Sequence, residues 1–104
     1  MSNIGSYEKR VKDFSWEIAE RELEWKPGDV INIGWYCSDR VCAQGKADKV
    51  GLIWESHTGA ERKYTYNDIR LAANTIGAFL RDLGIRPEER VCLFLDRVPE
   101  LYLG

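Results

Sequence analysis

No run of about 18 apolar residues occurs in this sequence, so no segment reads as a membrane-spanning helix. Nor is there an excess of charge of either sign: 15 Lys and Arg stand against 17 Asp and Glu, for a formal net charge of -2. That balance creates no basic field to attract nucleic acid or an anionic membrane, and neither partner is expected. The opening stretch MSNIGSYEKRVKDF lacks the basic start and apolar centre of a secretory signal, which points to a cytoplasmic protein. Histidine occurs once, at His57, with no carboxylate or nucleophile suggested as its partner, so it is expected to be solvated in a turn. Cysteine occurs three times. Cys37 and Cys42 lie in an expected helix about 140° apart around its axis, a spacing that neither closes a disulfide readily nor forms a metal knuckle. All three are expected to be reduced, mostly buried thiols. Repeats, low-complexity tracts and flexible linkers are missing as well.

What is present is an ordinary globular composition, 44% apolar and 31% charged, in a length that suits one domain. Tyr7, Val11, Phe14, Ile18 and Trp25 recur at helical spacing and predict one amphipathic helix ending before Lys26-Pro27-Gly28-Asp29. Its polar side is mixed in sign, so the stripe reads as a packing face. Asn32 is placed to cap a second helix from about Ile33 to Ala43, with Gly45 as its stop. Within it, Asp39 and Arg40 read as an ion pair or a side-chain cap. Val50, Leu52 and Trp54 alternate with Gly51, Ile53 and Glu55, and Arg62 to Tyr66 follow after a turn, which predicts a β-hairpin. Thr65 and Asp68 make a capping box, and Ile69, Ala72, Ala73, Ile76, Leu80 and Leu83 form the stripe of a helix that Gly84 ends. Val91 to Leu95 is an apolar run of strand length, and Pro99 suits a first helical position. The expected fold class is therefore α/β: two helices, a β-hairpin, a helix, a strand and a truncated helix.

Candidate chemistry is sparse. The stretch Ser56-His57-Thr58-Gly59-Ala60-Glu61-Arg62-Lys63 has the residue types of a phosphate loop, but its glycine pattern is wrong and it joins two strands instead of entering a helix. Ala43-Gln44-Gly45-Lys46-Ala47-Asp48-Lys49 has one glycine and no Ser or Thr after Lys46. Trp16, Trp25, Trp35 and Trp54 are spread over several elements without basic interleaving, so they read as packing residues and not as a base-stacking surface.

Five stretches, NIGWYCSDRV, GLIWES, YTYNDI, AANTIGAFLRDLGI and RVPELYLG, occur in an order and spacing that resemble the N-terminal region of AMP-forming acetyl-CoA synthetases and related acyl-CoA synthetases. The resemblance covers nearly the whole chain beyond about residue 14. It implies an N-terminal fragment of the large domain of an adenylate-forming enzyme: a single incomplete domain over 1–104, helical over 1–45 and α/β over 46–104. It further implies a ligase that activates a small carboxylate such as acetate with ATP and Mg, through an acyl-adenylate, and passes the acyl group to CoA. The resemblance places no catalytic, cofactor-binding or metal residue within this chain, because the family's nucleotide and CoA motifs have no counterpart in it. The partner it implies is the rest of a longer chain, and the fragment alone is expected to be inactive.

A different reading is a stand-alone binding or oligomerisation module that keeps this fold. An unforeseen nucleotide site would be sought near Arg40 or Arg97. The isolated chain is expected to self-associate, by strand pairing or exchange of terminal helices, since wetting two or three large side chains of Val91 to Leu95 would cost about 1.5 to 3 kcal/mol each.

Overall fold

The computed structural model describes residues 5–104. The first four residues of the stretch read for a secretory signal lie outside them. The chain divides into two compact units, Met1–Ile31 and Asn32–Gly104.

In the first unit the expected single helix is two: α1 (Tyr7–Lys12) and α2 (Trp16–Leu23). The break falls where Asp13 and Ser15 sit, residue types whose side chains compete for backbone hydrogen bonds. Ser15 adopts extended backbone angles and its hydroxyl accepts the Ile18 N–H, starting a new helix instead of continuing the old one. At its far end α2 stops at Leu23, before Pro27 and Gly28 are reached. Glu24 turns left-handed (φ 55°), and the Trp25 N–H bonds back to the Glu20 carbonyl at 2.9 Å. The apolar stripe survives the break only in part: Ile18 and Trp25 are half-buried, whereas Tyr7, Val11, Phe14 and Trp16 are exposed.

The second unit begins as expected with Asn32, whose side-chain oxygen accepts the Trp35 N–H at 3.0 Å. The helix it starts is short. α3 (Ile33–Cys37) ends at Ser38, which departs from helical angles (φ -127°, ψ -75°), and α4 (Asp39–Val41) follows with a π-turn over Cys42–Lys46. Ser38 marks the interruption: it is only 2% exposed, and its hydroxyl donates 2.6 Å back to the Gly34 carbonyl, which also accepts the Ser38 N–H at 3.1 Å. Gly45 then turns left-handed (φ 76°), which fits its expected role as a stop.

β1 (Val50–Glu55) and β2 (Glu61–Thr65) pair antiparallel, Leu52 facing Tyr64 and Trp54 facing Arg62, with an irregularity between Val50 and Leu52. Leu52, Trp54 and Tyr64 are half-buried, while Ile53 is exposed. The alternation read from the sequence holds from Leu52 to Glu55, whereas Val50, on the far side of the irregularity, is exposed. α5 (Tyr66–Asp82) follows directly, so Tyr66 opens the helix instead of ending the strand. Its stripe of Ile69, Ala72, Ala73, Ile76 and Leu80 is half-buried, but Leu83 lies exposed. Gly84 (φ 83°) follows the helix as expected, and the Ile85 N–H reaches back to the Leu80 carbonyl at 3.1 Å.

Val91 to Leu95 is not in a strand. A strand needs a neighbour for its backbone groups, and none of the described residues pairs with this run. Beyond it, Val98 adopts extended angles and α6 (Pro99–Leu103) starts on the buried Pro99. The chain keeps its α/β character, a two-stranded antiparallel sheet set against α5, although the third strand is unformed. Among the described residues no aliphatic or aromatic side chain is fully buried except the ring of Pro99.

Candidate functional site

Three places could in principle hold a phosphate. In the hairpin turn the Ser56 hydroxyl accepts the N–H groups of Thr58 (3.3 Å) and Ala60 (3.0 Å), and the Gly59 N–H donates to the Ser56 carbonyl. The amides that would cradle an anion are thereby closed onto the loop's own oxygens. His57 lies exposed in this turn. The residues after the π-turn serve α5: the Lys49 carbonyl accepts the Tyr66 N–H and the Ala47 carbonyl accepts the Asn67 N–H, both at 3.0 Å, while the Lys49 N–H donates to the Lys46 carbonyl at 3.1 Å.

The N-terminus of α5 is the third place, and its remaining donor is also taken. The Thr65 hydroxyl oxygen accepts the Asp68 N–H at 3.1 Å, while the Asp68 carboxylate accepts the Thr65 N–H at 2.8 Å and the Thr65 O–H at 2.7 Å. These bonds to Thr65 hold the Asp68 carboxyl below its ordinary pKa. Glu8 and Glu17 are lowered in the same way, by their own backbone amides and by Ser6 and Ser15. All three carboxylates belong to helix starts and are held ionised, which suits capping and not proton transfer near neutrality.

The second unit has concave surfaces of two kinds: a polar cleft of about 410 Å³ between α3 and α5, where Asn32, Ser38, Asp39, Asn74 and Arg81 stand, and an apolar one. A groove of about 430 Å³ lies between α3, the hairpin, α5 and α6, lined by Cys37, Val41, Gly51, Leu52, Tyr66, Ile69, Tyr102 and Leu103. A neighbouring cleft of about 310 Å³ continues along α5 past Ala73, Ile76 and Leu80. Gly51 shapes the groove floor. A Cβ there would stand 2.9 Å from Ile69 Cδ1 and 3.1 Å from the Tyr66 ring, so its absence lets α5 approach β1. Surfaces of this kind receive another apolar element more readily than a charged nucleotide.

Polar groups around the seam are structural. The Trp54 indole N–H donates to the Arg97 carbonyl at 2.7 Å, tying the hairpin to the start of α6, and the Arg62 guanidinium lies 5.5 Å from the Trp54 ring centroid. This link spans 43 positions of sequence and left no local signal to find it by. The expected Asp39-Arg40 partnership takes another form: Asp39 Oδ2 lies 3.1 Å from the Ser38 hydroxyl, and Arg40 stacks on Tyr36 with 5.6 Å to the ring centroid. The three cysteines are free thiols, but Cys37 and Cys92 are exposed and only Cys42 is half-buried, against the burial expected of them. They are exposed because the surfaces that carry them are uncovered.

Among the described residues no group of three or more His, Cys, Asp or Glu is placed to hold a metal ion. Among them, too, no helix is long and apolar enough to cross a membrane.

Comparison with known proteins gives the surface its context. The family model described as "AMP-binding enzyme" matches residues 39–104. The chain is 34% identical over 92 residues to the acetyl-coenzyme A synthetase of Aeromonas hydrophila, covering 88% of this chain and 14% of that protein. It is similar to the acetyl-coenzyme A synthetase of Gemmatimonas aurantiaca, 30% identical over 97% of this chain and 17% of that protein. The same holds for that of Rubrobacter xylanophilus, at 29% identity, 93% of this chain and 18% of that protein. The chain thus spans less than a fifth of the length of these relatives.

Proposed function

The chain belongs to the AMP-binding enzyme family, and from that premise we propose that it is an N-terminal structural section of an acetyl-CoA synthetase-like ligase. Such a ligase joins a short carboxylate to CoA at the expense of ATP, through an acyl-adenylate, with AMP and pyrophosphate as products. The 104 residues are read as the opening part of one large domain, cytoplasmic, with the remainder of the ligase as their partner. No catalytic, cofactor-binding or metal residue is assigned to them.

One observation carries the reading. The stretch matched by the family, 39–104, lies within the packed unit Asn32–Gly104, and it is there that the apolar groove remains unfilled while the first three amides of α5 and the Thr58, Gly59 and Ala60 amides of the hairpin turn bond to the chain's own oxygens. A section that shapes a domain without touching nucleotide has this combination of features. The alternative of a self-contained binding module fits less well, since such a module would bury its own apolar residues.

The test is a chimaera in which the matching section of the Aeromonas hydrophila acetyl-coenzyme A synthetase is exchanged for residues 39–104. A folded chimaera should form acetyl-CoA with a KM for acetate and for ATP within about threefold of the parent. A folded chimaera with an altered acetate or ATP KM would show that this section does carry binding residues and would overturn the assignment.

A further inference from the structure

The apolar groove between α3, the hairpin, α5 and α6 selects its occupant by charge. The polar cleft between α3 and α5 carries Asp39, Asn74 and Arg81, but no charged side chain lines the groove or its continuation along α5. Ser38, at the wall of that continuation, has its hydroxyl committed to the Gly34 carbonyl at 2.6 Å. A charged occupant would lose its water there with nothing to replace it, whereas an apolar side chain gains by leaving water. Cys37 borders both the groove and its continuation, and its side chain is exposed.

The origin of the lining indicates what covers it. Every residue that lines the groove except Cys37 lies within 39–104, the stretch that the family model matches. The chain covers 14%, 17% and 18% of the three relatives named above, so most of each relative lies outside the match. In such a ligase the covering segment is tethered to the groove by the same chain. A tether holds it there at an effective concentration in the millimolar range, which a separate copy or a dilute apolar molecule does not reach.

We propose that this groove is the seat of an uncharged, apolar segment from the remainder of the ligase, and that the Cys37 thiol is buried when the segment is in place. The inference rests on the ligase reading and adds to it the surface through which the section meets its own enzyme.

Thiol footprinting tests it. Alkylation of Cys37 by iodoacetamide is followed by mass spectrometry of its peptide, in the 104-residue chain and in a chimaera where this chain replaces the part of the Aeromonas hydrophila synthetase that it matches. The rate should fall about tenfold or more in the chimaera, since a covered thiol is out of reach of the reagent, and should recover in urea. A chimaera that forms acetyl-CoA while its Cys37 reacts as fast as in the chain alone overturns the docking and leaves the ligase reading standing. A folded chimaera with an altered acetate or ATP KM fails the ligase reading whatever Cys37 does. A second measurement covers a chimaera that does not fold. In the Aeromonas hydrophila synthetase itself, a cysteine placed at the position aligned with Leu52 should be protected in the active enzyme and react in urea; a cysteine there that reacts freely in the active enzyme overturns the proposal.

Discussion

Gly51 shows how a single side chain, by being absent, sets the spacing of two elements. With Ile69 Cδ1 at 2.9 Å and the Tyr66 ring at 3.1 Å from the Cβ it lacks, any larger residue must displace the end of the Ile69 side chain and crowd the Tyr66 ring. Gly51→Val should destabilise the chain by about 1–3 kcal/mol, the usual cost of overpacking, read as a lower midpoint in urea with an unchanged slope. An unchanged midpoint would mean that the hairpin and helix are not in working contact. In the sequence Gly51 is visible only as an interruption of a strand; that α5 lies across it depends on contacts the local pattern does not contain. Trp54 is a similar case. Its place on the inner face follows from alternation, but its bond to the Arg97 carbonyl joins segments too far apart in sequence for any periodicity to reveal.

At the scale of elements, legibility follows how local the stabilising interactions are. The capping box of Thr65 and Asp68, the Asn32 cap, the left-handed Gly84 and the Pro99 helix start all depend on neighbours within four residues, and all were readable. Two expected helices were instead broken, because Ser15 and Ser38 used their hydroxyls locally in ways that spacing alone does not register. Val91 to Leu95 failed as a strand for the opposite reason, since its conformation waits on a pairing partner. Thr65→Ala should cost about 1 kcal/mol, the usual loss for an N-cap, and should speed hydrogen exchange in the first turn of α5. The same cap gives a pH dependence. Asp68 has its pKa lowered in the folded chain by its bonds to Thr65. The unfolded chain therefore binds a proton more readily, and the contribution is fully present above the ordinary carboxylate range and lost as pH falls through the lowered value. First-turn exchange relative to the helix centre should accelerate in the parent as pH falls below the ordinary carboxylate range and be flat in Asp68→Asn; equal acceleration in both would contradict the assignment.

For the whole molecule, the α/β class was legible because hydrophobic period and turn chemistry agree from Val50 to Gly84. That no aliphatic or aromatic side chain but the Pro99 ring is fully buried among the described residues was legible only at Val91 to Leu95, since composition is that of an ordinary globular domain. The structure leaves an apolar groove of about 430 Å³ open along α5 and α6, and the family match spans less than a fifth of each relative named above. The central claim, that these residues hold none of the nucleotide-handling machinery, is tested most directly by acetate-dependent exchange of pyrophosphate into ATP with the purified 104-residue chain and Mg. The account predicts exchange equal to a protein-free blank at every protein concentration. Exchange that rises in proportion to the chain, and is abolished when acetate is omitted, would contradict it and direct attention to Arg40 and Arg97.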